Sequence, residues 1–260
     1  MYKNTWNSNT ELIIVTSHYT EDLEWLKQSK YPVVVCSKVD AHIPAIPADL
    51  NCIIPNIGNE ASSYLKFIIT YYNNLPEHIA FIHGHETAWH QTVDMLKAID
   101  GALYKKYNYV SLNGMFIKRY THTEFHELIQ SVYKQYFENI LGVSYPVNNV
   151  LHDACAQFIV SRVSIKKYSK DVYINWFHLI YNVKLHKIKE GLFSEDRHDS
   201  SYLWGIIYEF IWHIIFGEPT RLEFFEDYME THFNCFSGEK NYLMLKEHID
   251  ILKQKYNTKN

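Results

Sequence analysis

Apolar and polar positions change their period along the chain, and each change marks an element. "ELIIVTSHY" (Glu11 to Tyr19) is a β-branched run closing on polar residues, which predicts a strand. "TEDLEWLKQ" follows, with Thr20 as an N-cap candidate and acids in the first turn, and predicts a helix. "YPVVVCSK" (Tyr31 to Lys38) predicts a second strand and "NCIIPN" (Asn51 to Asn56) a short third one. In "NEASSYLKFIITYYNNL" the apolar positions Ala61, Leu65, Ile68, Ile69 and Tyr72 recur at helical spacing up to Pro76. "HIAFIHGH" then returns to a strand of about five residues, near the usual strand length. This alternation predicts an α/β fold with a mostly parallel central sheet flanked by helices.

Beyond Thr87 the periods become more helical. "TAWHQTVDMLKAI" and "TEFHELIQSVYKQYFENIL" predict amphipathic helices around a short strand or loop, "YVSLNG" (Tyr109 to Gly114). "ACAQFIVSRVSI" (Ala154 to Ile165) predicts the last strand. "KDVYINWFHLIYNVKLHKIK" and "YLWGIIYEFIWHIIFG" predict helices, with "FSEDRHDSS" (Phe193 to Ser201) as an exposed loop between them. Nothing reads as a linker, so 1–260 is expected to be a single α/β domain with 218–260 as a helical C-terminal extension.

Composition narrows the function classes. With 47% apolar and 16% aromatic residues the chain can build a large core without staples. Its net charge of −4 comes from interleaved charges, and without a basic run nucleic acid is not expected as a partner. Glycine is scarce at 9, and neither GxxxxGK[ST] nor GxGxxG occurs. The 4 cysteines form no CxxC pair, which suits buried thiols in a reducing compartment. The N-terminal stretch has no apolar leader. The apolar stretch Tyr202 to Gly217 is too short to span a bilayer and carries Glu209 and His213. A soluble, cytoplasmic protein with no transmembrane segment is therefore the expectation.

In open α/β sheets ligands lie beyond the carboxyl ends of the strands. That rule collects Thr16, Ser17 and His18 after the first strand, and Ser37, Lys38 and Asp40 after the second. It adds Asn56, Asn59 and Glu60 after the third, and His83, His85 and Glu86 after the fourth. In an extended "FIHGH" the two imidazoles point to one side, where they could share a divalent cation with Glu86 or His90. The same histidines could instead bind substrate directly, or only hydrogen-bond to neighbouring loops while Trp89 packs behind them. Two acids complete the candidates: Asp153, just before the last strand, and Glu209, inside an apolar helix where a carboxylate must be paired or face a cavity. Either could act as a general base, while Glu209 could also form a salt bridge. HExxH and GxSxG are absent.

"NIGNEASSYLKFIITYYNNLPEHIAFIHGHETAWH" resembles the signature region of an uncharacterised domain-of-unknown-function family (3431-type), and "AQFIVSRVSI" and "YEFIWHIIFG" resemble its other segments. Together they cover most of Leu12 to Gly217. The order of elements is similar to that of capsular-polysaccharide-type glycosyltransferases with a GT-A-like sheet. That resemblance implies sugar transfer from a nucleotide-sugar donor to a hydroxyl on a glycan acceptor. It would put Thr16, Ser17 and His18 at the nucleotide, Asn56 and Glu60 in the donor pocket, and Asp153 or Glu209 as base. Lys38, Arg162 or a helix N-terminus would meet the diphosphate, and Trp89 and His90 would follow the His motif into the site. Many such enzymes hold manganese or magnesium with Asp-x-Asp; here His83, His85 and Glu86 stand in the comparable place as metal ligands. A metal-dependent hydrolase using the His83/His85 cluster and a non-catalytic carbohydrate- or protein-binding module are the alternatives.

Overall fold

A computed structural model describes residues 5–88, 91, 93–113, 116–118, 124–145, 151–153, 155–186 and 199–217. In chain order it contains strands β1 (Leu12–His18) and β2 (Val33–Ser37), helix α1 (Asn59–Tyr71), strand β3 (His78–Ile82) and helix α2 (Met95–Gly101). Strands β4 (Tyr109–Ser111) and β5 (Phe116–Lys118), helices α3 (Glu124–Tyr136) and α4 (Glu138–Leu141) and strand β6 (Leu151–Asp153) follow. Strand β7 (Phe158–Ser161) and helices α5 (Arg162–Ile165), α6 (Lys170–Asn182) and α7 (Ser200–Ile215) complete the set.

Five strands form the central sheet in the order β2-β1-β3-β7-β4. β1 pairs in parallel with β2 and β3, and every residue of β1 and β2 is buried. A strand covered on both faces needs apolar residues on both, which is why these segments read as continuous runs rather than alternating ones. Ile13, Val15, Phe81 and Phe158 face a core completed by α1, α3, α6 and α7. Leu12, Ile14, Ala80 and Ile82 face a second core with Trp25, Leu26, Met95 and Ile99. α7 is apolar nearly all round because it is packed nearly all round, with Trp204, Tyr208 and Trp212 fully buried. Asp199 caps it by accepting the N–H of Tyr202 at 2.8 Å. Among the described residues no helix is long and apolar enough to cross a membrane.

Several expectations need correction. The sheet is only partly parallel, because β7 runs antiparallel to both β3 and β4. The last strand is also shorter than Ala154 to Ile165. It stops at Ser161, whose hydroxyl accepts the N–H of Ser164 at 3.2 Å and starts α5. "NCIIPN" forms a 3-10 turn over Leu50–Cys52 and a single bridge between Ile54 and Lys38. Thr20 caps no helix. The Glu21 carboxylate accepts the N–H groups of Tyr19 and Thr20, and only a 3-10 turn, Glu24–Gln28, follows. The 218–260 extension lies outside the described residues.

Candidate functional site

Beyond the carboxyl ends of β1 and β3 lies a cleft of about 800 Å³. A cavity of this size suits a small-molecule ligand. Its lining includes Ser17, Lys38, Asn56, Asn59, Glu60, His83, His85 and Glu209, eight residues singled out from the sequence. They come from five separate stretches of chain, and the fold brings them to one mouth.

Local structure explains how α1 enters the site. Gly58 and Asn59 both sit in the left-handed region, with φ of 71° and 48°. A Cβ on Gly58 would lie 2.6 Å from Ile180 Cγ2, so only glycine fits. One turn of α7 opposes this entry through Gly205, where a Cβ would stand 2.5 Å from Asn59 Nδ2. Gly58 thus lets the entry of α1 pack on Ile180 of α6, and Gly205 lets α7 approach that entry closely, while Glu60 and Glu209 line the same cleft. From β2, the buried Lys38 ammonium donates to the Asn59 carbonyl at 2.5 Å and to Ser62 Oγ at 2.9 Å. An ammonium has three donors, so one N–H is left for a ligand.

The electrostatics follow from this crowding. Burial pushes the Glu60 carboxyl up to about 7, opposed by its own backbone N–H and by the Lys38 ammonium. Burial, reinforced by the nearby Glu60 charge, raises Glu209 well above the usual carboxylate range, although the Cys155 N–H pulls the other way. Burial lowers Lys38 to about 8 against the attraction of Glu60. Glu60 Oε1 is shielded from solvent and has no hydrogen-bond partner among the described residues. At neutral pH the cleft thus holds a Glu60 poised near half-titration and a charged Lys38, beside a Glu209 whose burial favours its protonated form.

After β3 the chain is fixed by side chains from outside the cleft. Gln157 Oε1 accepts the His83 N–H at 3.2 Å, and Trp25 Nε1 donates to the Gly84 carbonyl at 3.1 Å. A Cβ on Gly84 would come within 2.7 Å of Glu21 Cβ, so this turn also requires glycine. β3 ends at Ile82, so His83 and His85 are not strand neighbours, yet both line the cleft.

Other candidates lie elsewhere. Side chains alternate along β1, so Ser17 faces the cleft side, where it bonds Ser63 Oγ at 2.8 Å, while Thr16 and His18 face the other core. His18 is buried against Ser37 Oγ at 3.0 Å, and burial lowers its pKa. Arg162 lies at the opposite end of the sheet, where it donates to the carbonyls of Ser8 and Leu75. Glu86 lines a neighbouring concavity of about 430 Å³ with Asp22, Glu24 and Trp25, which shares only Gly84 and His85 with the main cleft. Among the described residues no three His, Cys, Asp or Glu side chains are grouped to hold a metal ion, so His83, His85 and Glu86 do not make a three-ligand set. Trp89 and His90 lie outside the described residues, as does the Asp153 side chain, although β6 itself packs against α7.

Sequence reasoning missed Tyr19, Glu21, Cys155 and Tyr202 in the lining, and Gln157 behind it. Tyr19 and Glu21 directly follow β1 and were within reach of the same carboxyl-end rule. Gln157 carries a fainter signal, a lone amide entering an apolar strand.

No curated protein and no solved structure matches the chain. Residues 13–237 match the family described as protein of unknown function (DUF3431), a match that runs beyond Gly217 and spans most of the sequence, and the chain therefore belongs to that family.

Proposed function

We propose that the cleft is the active site of a glycosyltransferase, moving a sugar from a nucleotide-sugar donor to a hydroxyl of a glycan acceptor in the cytoplasm. The observation that carries this reading is the meeting of Lys38, Glu60 and Glu209 in one cleft beyond the parallel strand ends. A GT-A-like architecture agrees with an open sheet flanked by helices and with a cleft beyond its parallel strand ends.

In this reading the free N–H of Lys38, at the amino end of α1, meets the donor diphosphate. His83 and His85 border the same group. The acceptor oxygen bonds to the anomeric carbon as the bond from that carbon to the diphosphate breaks, and the diphosphate leaves with the electron pair. Glu60, titrating near neutrality, takes the acceptor proton; a base is most effective when its pKa lies near the working pH. Glu209, whose burial favours the protonated form, donates a hydrogen bond to a sugar hydroxyl. The base role thus moves from Glu209 or Asp153 to Glu60. The described donor set makes no three-ligand metal site, and no step is routed through manganese or magnesium. Neither the metal-dependent hydrolase nor the binding module gains an observation of its own.

Calorimetry with a panel of nucleotide diphosphates and nucleotide sugars, with and without manganese, tests the reading. At least one member should bind, and Lys38→Met should abolish the signal. Failure of every member to bind under both conditions would sink the donor site.

A further inference from the structure

The chain between β2 and α1 exposes large aliphatic side chains beside the cleft. Ile43 is 98% exposed, Leu50 82% and Val39 67%, and Ile53 and Tyr19 are also open. These five are most of the exposed large apolar residues among the described residues. The loop is not loose. Its backbone is tied by Val39 N–H to the Ile54 carbonyl at 2.8 Å, by His42 N–H to the Tyr19 carbonyl at 2.9 Å and by Asp49 N–H to the Val35 carbonyl at 3.0 Å. Ile46 is fully buried under the sheet, and Pro44 and Pro47 restrict the backbone on either side of it. One isoleucine therefore anchors the loop while Ile43 is held out in solvent. Because Tyr19 and Lys38 line the cleft, the apolar rim adjoins its mouth.

We propose that this rim, residues 39–53, docks the protein on the surface of an uncharged lipid bilayer, with Ile43 and Leu50 inserted among the acyl chains. Two observations select a bilayer. The exposed side chains offer on the order of a few hundred Å² of apolar surface, short of the roughly 800 Å² per partner that a stable protein interface buries. Separate protrusions from a fixed loop also suit a fluid, deformable partner. The choice of an uncharged surface follows from charge: residues 39–58 contain Asp40 and Asp49 and no Lys or Arg. Asp49 is already engaged by Tyr71 and Asn51, so the rim offers nothing to anionic headgroups. On the sugar-transfer reading, this docking would present the cleft to a lipid-borne hydroxyl acceptor.

Flotation of the full chain with phosphatidylcholine vesicles, without nucleotide, tests the proposal independently of the sugar-transfer reading. Wild type should float, and added phosphatidylserine should not strengthen binding. Burying one aliphatic side chain is worth about tenfold in partitioning, so the Ile43→Asp Leu50→Asp double variant should lose at least about thirtyfold. Val163→Asp, at a residue 66% exposed elsewhere, should float like wild type. Circular dichroism melts of both variants should match wild type, since the altered side chains are already in water. The proposal is overturned if wild type stays at the bottom of the gradient, or if the double variant floats equally well. It is also overturned if light scattering shows a dimer that the double variant dissolves, in which case a second copy covers the rim.

Discussion

At the amino-terminal end of the parallel strands, Arg162 donates to two backbone carbonyls, at 2.7 Å and 3.0 Å, and Glu11 is held by Lys105 at 2.6 Å and Tyr104 at 2.7 Å. At the carboxyl-terminal end, Glu60 has one oxygen without a partner among the described residues and faces the same cleft as Glu209. Both ends carry charged side chains, but the consequences are opposite. The bonds from Lys105 and Tyr104 hold Glu11 below the usual carboxylate range, so folding gains from its charge. Burial drives Glu60 and Glu209 up and Lys38 down, so folding works against theirs. A fold has no need of three such groups in one hollow, and groups kept in costly states are what a reactive site requires.

The sharpest way to break this comparison is to exchange the cations. Lys38→Met keeps the aliphatic stem and removes the charge. Nucleotide affinity should fall about a hundredfold or more, as expected for a charge-assisted phosphate contact worth roughly 3 kcal/mol. In wild type the affinity should also decline as pH rises past about 8, where Lys38 loses its proton. Arg162→Met should do the reverse. It orphans the carbonyls of Ser8 and Leu75 and should cost about 1.5–3 kcal/mol in urea unfolding, with nucleotide titrations unchanged. If Arg162→Met weakened nucleotide binding tenfold while still folded, the division between the two ends would fail.

Arg162 also shows where sequence reading stops. Segments buried on both faces announce themselves as unbroken apolar runs, so β1, β2, α1 and β3 were legible with small boundary errors. Strand direction leaves no such trace. β7 looks like the other strands in composition but runs the opposite way, so its final residues arrive at the wrong end of the sheet for the site. Alternation accounts for Thr16 and His18: of three consecutive polar residues on one strand, only Ser17 can face the cleft side. Glu60 was found by the strand-end rule, and Glu209 because a carboxylate inside an apolar helix is conspicuous. Their meeting draws on Gly205, which faces Asn59 across the α1–α7 contact, and on Gly58, which faces Ile180 of α6.

Stability against pH sharpens the comparison through Glu60→Gln. The unfolded Glu60 carboxyl releases its proton near 4.5, and the folded one near 7. Its folded pKa is raised, so the stability its protonated form contributes is complete below about 4.5 and is lost as pH climbs through about 7. Glutamine has no such proton to lose. The stability difference, variant minus wild type, should therefore grow between pH 5 and 7 and level off by pH 8. Its size should be on the order of 1 kcal/mol. Urea melts at four pH values read it directly, and a flat difference would mean that Glu60 is not held in a costly state.

Glu11→Gln should show the opposite sign at a smaller size. Here the folded pKa lies below the unfolded value, so the charge contributes stability above about 4.5 and loses it as the solution is acidified through the folded value. The side chain is half exposed and its partner Lys105 more so, which limits the effect at pH 7 to a few tenths of a kcal/mol. Raising the salt concentration should shrink it further, because an exposed pair is screened within a few ångströms at high ionic strength. The same melts, extended to pH 3.5, should show wild type and variant converging on the acid side, where the Glu60→Gln pair also converges, and separating in opposite directions as pH rises. Were both variants to separate from wild type in the same direction, paired and unpaired acids would be behaving alike, and the contrast between the two ends of the sheet would no longer identify the cleft.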